Sequence, residues 1–300
     1  MASRLLARAP ARRVTTVYIG TSLFAAAVLG EASPKLGASL VVTRPASAKG
    51  RGRRVSSAPV AEKARELGIE VLEPQRLDDV ADAIAAAEPD AVVLCAYGAM
   101  VHEPLLSRYE ILNVHPSLLP RWRGAAPVER AIMAGDAQTG VSIMRLVAEL
   151  DAGPVCAAEA TAIELDDDYG TLSSRLASAG ARLLLEALAG PRVYTDQDEA
   201  TATYAEKLTA ADRLLDANEP AQALERRVRA LHPHIGARLA DGLGVEQARQ
   251  SDEPLDAGEL VAREGRLLLG ATPGTLELLR VKPPGGRAMD AASYLRGHAR

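Results

Sequence analysis

Apolar and polar positions over the first two thirds of the chain alternate between two rhythms. Short continuous apolar runs occupy residues 14–19, 39–43, 69–72, 90–95 and 111–115, the length expected of buried strands. Between them apolar residues recur at helical spacing: from Gly20-Thr21-Ser22 to about Gly30, over 59–68 and over 77–88. Pro59 opens the second of these segments and Gly68 stops it, the usual punctuation of a helix. Strands alternating with helices in this way predict an α/β fold with a parallel, doubly wound, Rossmann-like sheet. Apolar runs at 141–146 and 155–162 extend the sheet, a helical run covers 129–135, and an amphipathic helix over 171–189 closes the unit at Gly190-Pro191.

The pattern then changes. Residues 191–204 are polar and irregular, which predicts a linker. Residues 220–231 predict a basic helix carrying Arg226, Arg227 and Arg229. Beyond it, short apolar runs at 237–239, 243–248, 267–269 and 275–281 are broken by Gly and Pro, which predicts a small OB-like β-barrel. The expected organisation is a tail over 1–13, an α/β domain over 14–190, a linker over 191–204 and a β domain over 205–300.

Composition narrows the class. With 300 residues, 48% hydrophobic and 25% charged, the chain reads as a soluble two-domain globular protein. No apolar run is long enough to span a bilayer. A net charge of -4 carries no overall nucleic-acid signature, so any RNA contact must come from local basic patches. Cys95 falls in a predicted buried strand and Cys156 is the only other cysteine, which argues against a disulfide and for a reducing, cytoplasmic setting. Arg4, Arg8, Arg12 and Arg13 stand in a first stretch without acids; a disordered tail or an upstream start codon is expected there rather than a transit peptide. The strand–Gly–helix opening at Gly20 lacks Gly-x-Gly-x-x-Gly, so no dinucleotide is inferred. His232 and His234 have no third ligand nearby in sequence, so no metal is predicted.

Candidate chemistry concentrates at the run 111–120. On a strand, residues two apart share a face, so Asn113 and His115 point together. Pro116 ends the strand, placing both at its carboxyl end, where open α/β sheets hold ligands.

The run Asn113-Val114-His115-Pro116-Ser117-Leu118-Leu119-Pro120-Arg121-Trp122-Arg123-Gly124-Ala125-Ala126-Pro127, with Leu150-Asp151-Ala152-Gly153-Pro154 downstream, resembles the 10-formyltetrahydrofolate-dependent formyltransferases. Within that group the wording Arg121-Trp122-Arg123-Gly124-Ala125-Ala126-Pro127 is most similar to the methionyl-tRNA formyltransferases. The resemblance implies a catalytic trio of Asn113, His115 and Asp151. It places 10-formyltetrahydrofolate, the co-substrate, near Tyr97 and Gly98 and near Ser117, Leu118, Leu119 and Pro120. It also implies that the basic stretch after the second strand, with Gly50-Arg51-Gly52 at its centre, grips the acceptor end of initiator methionyl-tRNA through Arg44, Lys49, Arg51, Arg53 and Arg54. The stretch has no apolar period and reads as a flexible loop. Arg226 and Arg229 are expected to hold the stem's backbone from the other side, and the enzyme is expected to be a monomer. The chain departs from the family at Ser22, where a proline is usual, at Ala46, where an Asp is usual, and at Ala217 and His234, where aromatics are frequent.

The chemistry suits these residue types. Formyl transfer to an amine develops an oxyanion, and donors aimed at that oxygen lower the barrier. An Asn amide donates without titrating; a His exchanges a proton near neutrality; an Asp nearby orients the ring and favours its charged form. A formyltransferase with a small acceptor, such as an amino-sugar nucleotide or glycinamide ribonucleotide, has no need of the basic stretch or the C-terminal domain. A folate- or RNA-binding module without catalysis has no need of the trio.

Overall fold

The computed structural model describes residues 14–49 and 54–298. Its first body is a seven-stranded sheet of β1 (Thr16–Gly20), β2 (Ala38–Val42), β3 (Glu70–Leu72), β4 (Ala91–Cys95), β5 (Ile111–His115), β6 (Gln138–Arg145) and β7 (Val155–Ala162). The spatial order is β3-β2-β1-β4-β5-β6-β7. The first five strands pair in parallel. β6 runs antiparallel to both of its neighbours, a reversal invisible in the apolar pattern because a buried strand reads alike in either direction. Strand order turns back between β1 and β4, the switch point at which such sheets leave a crevice at their carboxyl ends.

Helices cover both faces of the sheet. The helix Leu23–Leu36 is capped by Ser22, whose hydroxyl oxygen accepts from the Ala25 N–H at 3.2 Å, and stops at Gly37 with φ +65°. It therefore outruns the stop predicted at Gly30; Ala32 and Leu36 continue the buried stripe, and their packing outweighs the weak helix propensity of Gly30 and Pro34. The long helix Tyr169–Ala189 packs beside it. A Cβ built at Gly180 would lie 3.0 Å from Val114 Cγ1, so this glycine lets the helix close directly on β5. The strand that carries Asn113 and His115 is thus backed by a rigid layer.

The second body is an antiparallel β domain. Strands Ala237–Arg238, Gly244–Ser251, Thr275–Lys282, Arg266–Gly270 and Leu260–Arg263 follow one another across its sheet, with Met289–Asp290 pairing on Thr275–Lys282. The helix Ala221–Leu231 contributes Leu224, Val228 and Leu231 to the core, against Val245, Leu276 and Leu278.

That helix also packs on the helix Pro127–Ala134 of the first body. The contact shows what surrounds Arg226 and Arg229, the two arginines expected to hold the tRNA stem. The Arg226 guanidinium lies over Gly135, where a Cβ would sit 2.2 Å from its Cζ. Arg229 pairs with Glu225 at 2.6 Å and donates to the Asp167 carbonyl at 2.7 Å. Arg227, on the same helix, forks onto Glu219. Arg227 and Arg229 thus satisfy carbonyls and carboxylates within the protein. The two histidines are used in the same way: His234 contacts Glu129 at 2.9 Å and stacks on Tyr169, and His232 faces Asp168 at 3.8 Å.

Arg130 of the first body and Asp212 of the second form another clasp, at 2.7 Å. Burial works against the Asp212 carboxylate, but the Thr209 N–H, the Arg130 guanidinium and the Thr209 hydroxyl together bring its pKa down to about 2. A depressed carboxyl stabilises the fold above its unfolded value, about 3.9, and the contribution is lost as pH falls through the folded value. The advantage of the unmodified chain over Asp212→Asn, read from denaturant midpoints, is therefore expected to be constant above about pH 5 and to shrink between about pH 4 and pH 2. An advantage that persisted unchanged to pH 2 would show that the clasp does not depend on the Asp212 charge.

Two stretches depart from their sequence patterns. The basic stretch expected to be a flexible loop has paired arms: Ser47–Lys49 and Arg54–Ser56 form an antiparallel hairpin. Cross-strand backbone bonds build such a ribbon without an apolar period. Residues 191–204, expected to be a linker, lie against the first body. Thr195 bridges to Val155, and Tyr204–Ala205 pairs in parallel with Arg123–Gly124. No helix among the described residues is long and apolar enough to cross a membrane.

Candidate active site

The end of β5 places Asn113 and His115 side by side, and the turn after β6 brings Asp151 between them. The three are 5%, 4% and 9% exposed, so their polar atoms must be satisfied by one another and by nearby backbone. Asn113 Nδ2 donates to Asp151 Oδ1 at 3.3 Å. The Gly124 N–H donates to Asp151 Oδ2 at 2.8 Å, the tightest contact the carboxylate makes in the cluster. His115 Nδ1 faces Asp151 Oδ2 at 3.7 Å, an ion-pair separation rather than a hydrogen bond.

The other ring nitrogen settles the tautomer. His115 Nε2 lies 2.9 Å from the Trp122 carbonyl, which can only accept. Nε2 therefore carries a hydrogen, and in the neutral ring the lone pair is on Nδ1, the nitrogen turned towards Asp151.

Backbone conformation supports the arrangement. Trp122 and Asp151 both have positive φ, +63° and +48°. Such conformations cost about 1–3 kcal/mol each in a non-glycine residue and persist only where the surroundings hold them. Gly124 has φ +116°, and a Cβ there would lie 2.8 Å from the Ala205 carbonyl oxygen, so only glycine lets its N–H reach Asp151. At Gly153 a Cβ would fall 1.8 Å from the Arg145 carbonyl oxygen; this close approach folds the Asp151 turn back over the sheet.

Of the residues expected near folate, Tyr97 is buried just beyond β4 and Gly98 has φ +78°. Burial pushes the Tyr97 phenol above its ordinary value, with the nearby Arg44 charge acting the other way. Arg44 Nη1 donates to the Gly98 carbonyl at 3.4 Å and lines a cavity of about 310 Å³ with Thr21, Ser56 and Gln75. Arg44 and the Tyr97-Gly98 turn thus meet at the crevice. Ser117 is wholly buried: its N–H donates to the His115 carbonyl and its hydroxyl to the Arg121 carbonyl within its own turn, and its carbonyl accepts from the Ser142 hydroxyl on β6. Leu118 packs on Gly140. Leu119 and Pro120 line a groove of about 350 Å³ whose walls include neither the trio nor Tyr97. The backbones of Lys49 and Arg54 pair across the hairpin. Arg51 and Arg53, with Gly50, Gly52 and the N-terminal residues 1–13, lie outside the described residues.

The sequence reading did not anticipate Trp122, Gly124, Arg123 or Gln197. The first three sit in the run that carried the resemblance, and Gly124 was visible there as a glycine of no stated purpose. Gln197, in the presumed linker, had no local signal.

A buried amide, imidazole and carboxylate thus lie together at the carboxyl edge of a doubly wound α/β sheet. The family pattern described as formyl transferase matches residues 12–188, and that of the formyl transferase C-terminal domain matches residues 207–299. A methionyl-tRNA formyltransferase from Halorhodospira halophila is 45% identical over 270 residues, covering 86% of this chain and 87% of its own. One from Thermus thermophilus is 41% identical over 291 residues, covering 94% and 95%. The chain belongs to the methionyl-tRNA formyltransferase family. The fold is also that of HypX from Aquifex aeolicus in complex with tetrahydrofolic acid, at a TM-score of 0.65 and 18% identity, covering 94% of this chain and 47% of that one. It is shared again with an N-formyltransferase from Helicobacter canadensis, at a TM-score of 0.66 and 12% identity, covering 88% and 98%.

Proposed function

We propose that the chain transfers the formyl group of 10-formyltetrahydrofolate to the amino group of initiator methionyl-tRNA, producing N-formylmethionyl-tRNA for translation initiation. The observation that carries this reading is the convergence of Asn113, His115 and Asp151 in one buried cluster, in a chain of this family. The co-substrate supplies the formyl carbon and a nitrogen leaving group. Asn113 gives one amide hydrogen to Asp151 and keeps a second for the formyl oxygen as it becomes an oxyanion. His115 Nδ1, free of hydrogen in the neutral ring, takes the proton released by the attacking amine. The imidazolium so formed faces Asp151 and returns the proton to the departing folate nitrogen. Asp151 is held by Gly124 so that its charge stabilises that imidazolium. No metal has a part in this scheme.

Folate is proposed to lie beside Tyr97 and Gly98, with the acceptor end of the tRNA approaching past Arg44 and the basic residues that follow it in sequence, Arg51 among them. Donor and acceptor then meet over the end of β5. The same reading makes the protein a cytoplasmic monomer, in keeping with the buried Cys95 and a fold that brings all three proposed catalytic groups from one chain.

The test is formylation of charged initiator tRNA with and without 10-formyltetrahydrofolate, for the unmodified chain and for Arg51→Ala. Formyl transfer that requires the folate is expected, with Arg51→Ala slower by about 10- to 100-fold because a misplaced acceptor end costs that much. Binding of a folate analogue is expected to be unchanged by the substitution. Formylation of an amino-sugar nucleotide or glycinamide ribonucleotide in place of the tRNA would overturn the proposed acceptor.

A further inference from the structure

We infer that Gln197, oriented by the buried Arg123, is the positioning residue for the Asp151 turn, so that the segment joining the two bodies is part of the catalytic machinery. The inference rests on Asp151 acting as proposed above.

Arg123 is 1% exposed. Its Nη1 and Nη2 fork onto Glu199 at 2.8 and 2.6 Å, and its Nε donates to Gln197 Oε1 at 3.0 Å. Because that nitrogen can only donate, it fixes the Gln197 amide with oxygen towards Arg123 and nitrogen away from it. Gln197 Nε2 then donates to two carbonyls at once, Asp151 at 2.8 Å and Gly153 at 2.7 Å. These two carbonyls bracket the turn in which Asp151 is held at positive φ. One amide therefore clamps the main chain of the turn, while the Gly124 N–H clamps its carboxylate.

The same segment grips the other wall of the site. The Trp122 N–H donates to Thr203 Oγ1 at 2.9 Å, and the Arg123 N–H to the Thr203 carbonyl at 2.9 Å. The Ala125 N–H donates to the Ala205 carbonyl at 2.8 Å. Trp122 is the residue whose carbonyl holds His115. Residues 197–205 thus fasten both partners of the imidazole: the Asp151 turn through Gln197, and the Trp122 carbonyl through Thr203. An uncommitted linker has no reason to bury an arginine and satisfy it with two of its own side chains.

Gln197→Glu isolates the effect. The carboxylate keeps its size and its pairing with Arg123, but it turns an acceptor towards two carbonyls that require a donor. The expected result is a kcat lower by about 10- to 100-fold, with the KM for folate and for tRNA little changed and the melting temperature close to that of the unmodified chain. Gln197→Ala, which removes the clamp without repulsion, is expected to lose kcat in the same direction. The decisive measurement repeats Gln197→Glu in an Asp151→Ala background. A residue acting through Asp151 should add no further loss there, whereas a residue with a general structural role should cost the same factor in both backgrounds. Unchanged kcat in both Gln197 variants, or an undiminished loss in the Asp151→Ala background, would overturn the inference. Wild-type kcat in Asp151→Ala alone would instead overturn the catalytic reading on which it rests.

Discussion

Asn113→Ala is expected to lower the turnover of methionyl-tRNA formylation by about 100- to 1000-fold, the usual cost of losing one oxyanion donor. The KM for both substrates should change little, because the second amide hydrogen acts only as charge builds on the formyl oxygen. The fold should survive: Asn113 is buried, but its amide contacts Asp151, which keeps the Gly124 N–H as a partner. Far-UV circular dichroism and the melting temperature check that point, and steady-state kinetics check the first. Near wild-type turnover in a folded Asn113→Ala protein would remove the residue from the proposed mechanism.

His115→Ala and Asp151→Ala should each cost about 100- to 10,000-fold in kcat, the range of general acid–base catalysis, and the double substitution should cost no more than the worse single. The reason is geometric. Asp151 Oδ2 stands at 3.7 Å from the very nitrogen whose lone pair the Trp122 contact leaves open. Without the imidazole that carboxylate has no imidazolium to stabilise, and without the carboxylate the imidazole loses the anion opposite its proton. Single-turnover formylation of charged tRNA separates this chemical step from binding and release. Losses that multiplied in the double variant would mean that the two side chains act independently.

The strand–helix alternation and the placement of Asn113 beside His115 were legible because both are local. Burial imposes a period of two or of about 3.6 on the residues themselves, and Pro116 marks the strand end in plain sequence. The same reasoning did not show what Arg226 and Arg229 touch. Basic residues on one helix look alike whether they face water or a neighbouring carbonyl, and only the packing against Gly135 and Asp167 tells these cases apart. The partner of the Ser117 hydroxyl, the Arg121 carbonyl, was likewise not visible in the sequence.

The sequence by itself determined the layered α/β architecture, the following β domain, the strand end that carries Asn113 and His115 and the family to which the trio points. Each of these is written in residue type and short-range spacing, since a strand or helix must bury one side wherever it finally docks. The tertiary structure alone decided the reversal of β6, the His115 tautomer, the left-handed turn of Asp151 and its clamping by Gln197 and Gly124. Those features depend on which buried donor meets which acceptor across 38 residues from Asn113 to Asp151, or 46 from Asp151 to Gln197. A local pattern records that a polar group is present; only the packed chain brings it the partner that burial demands.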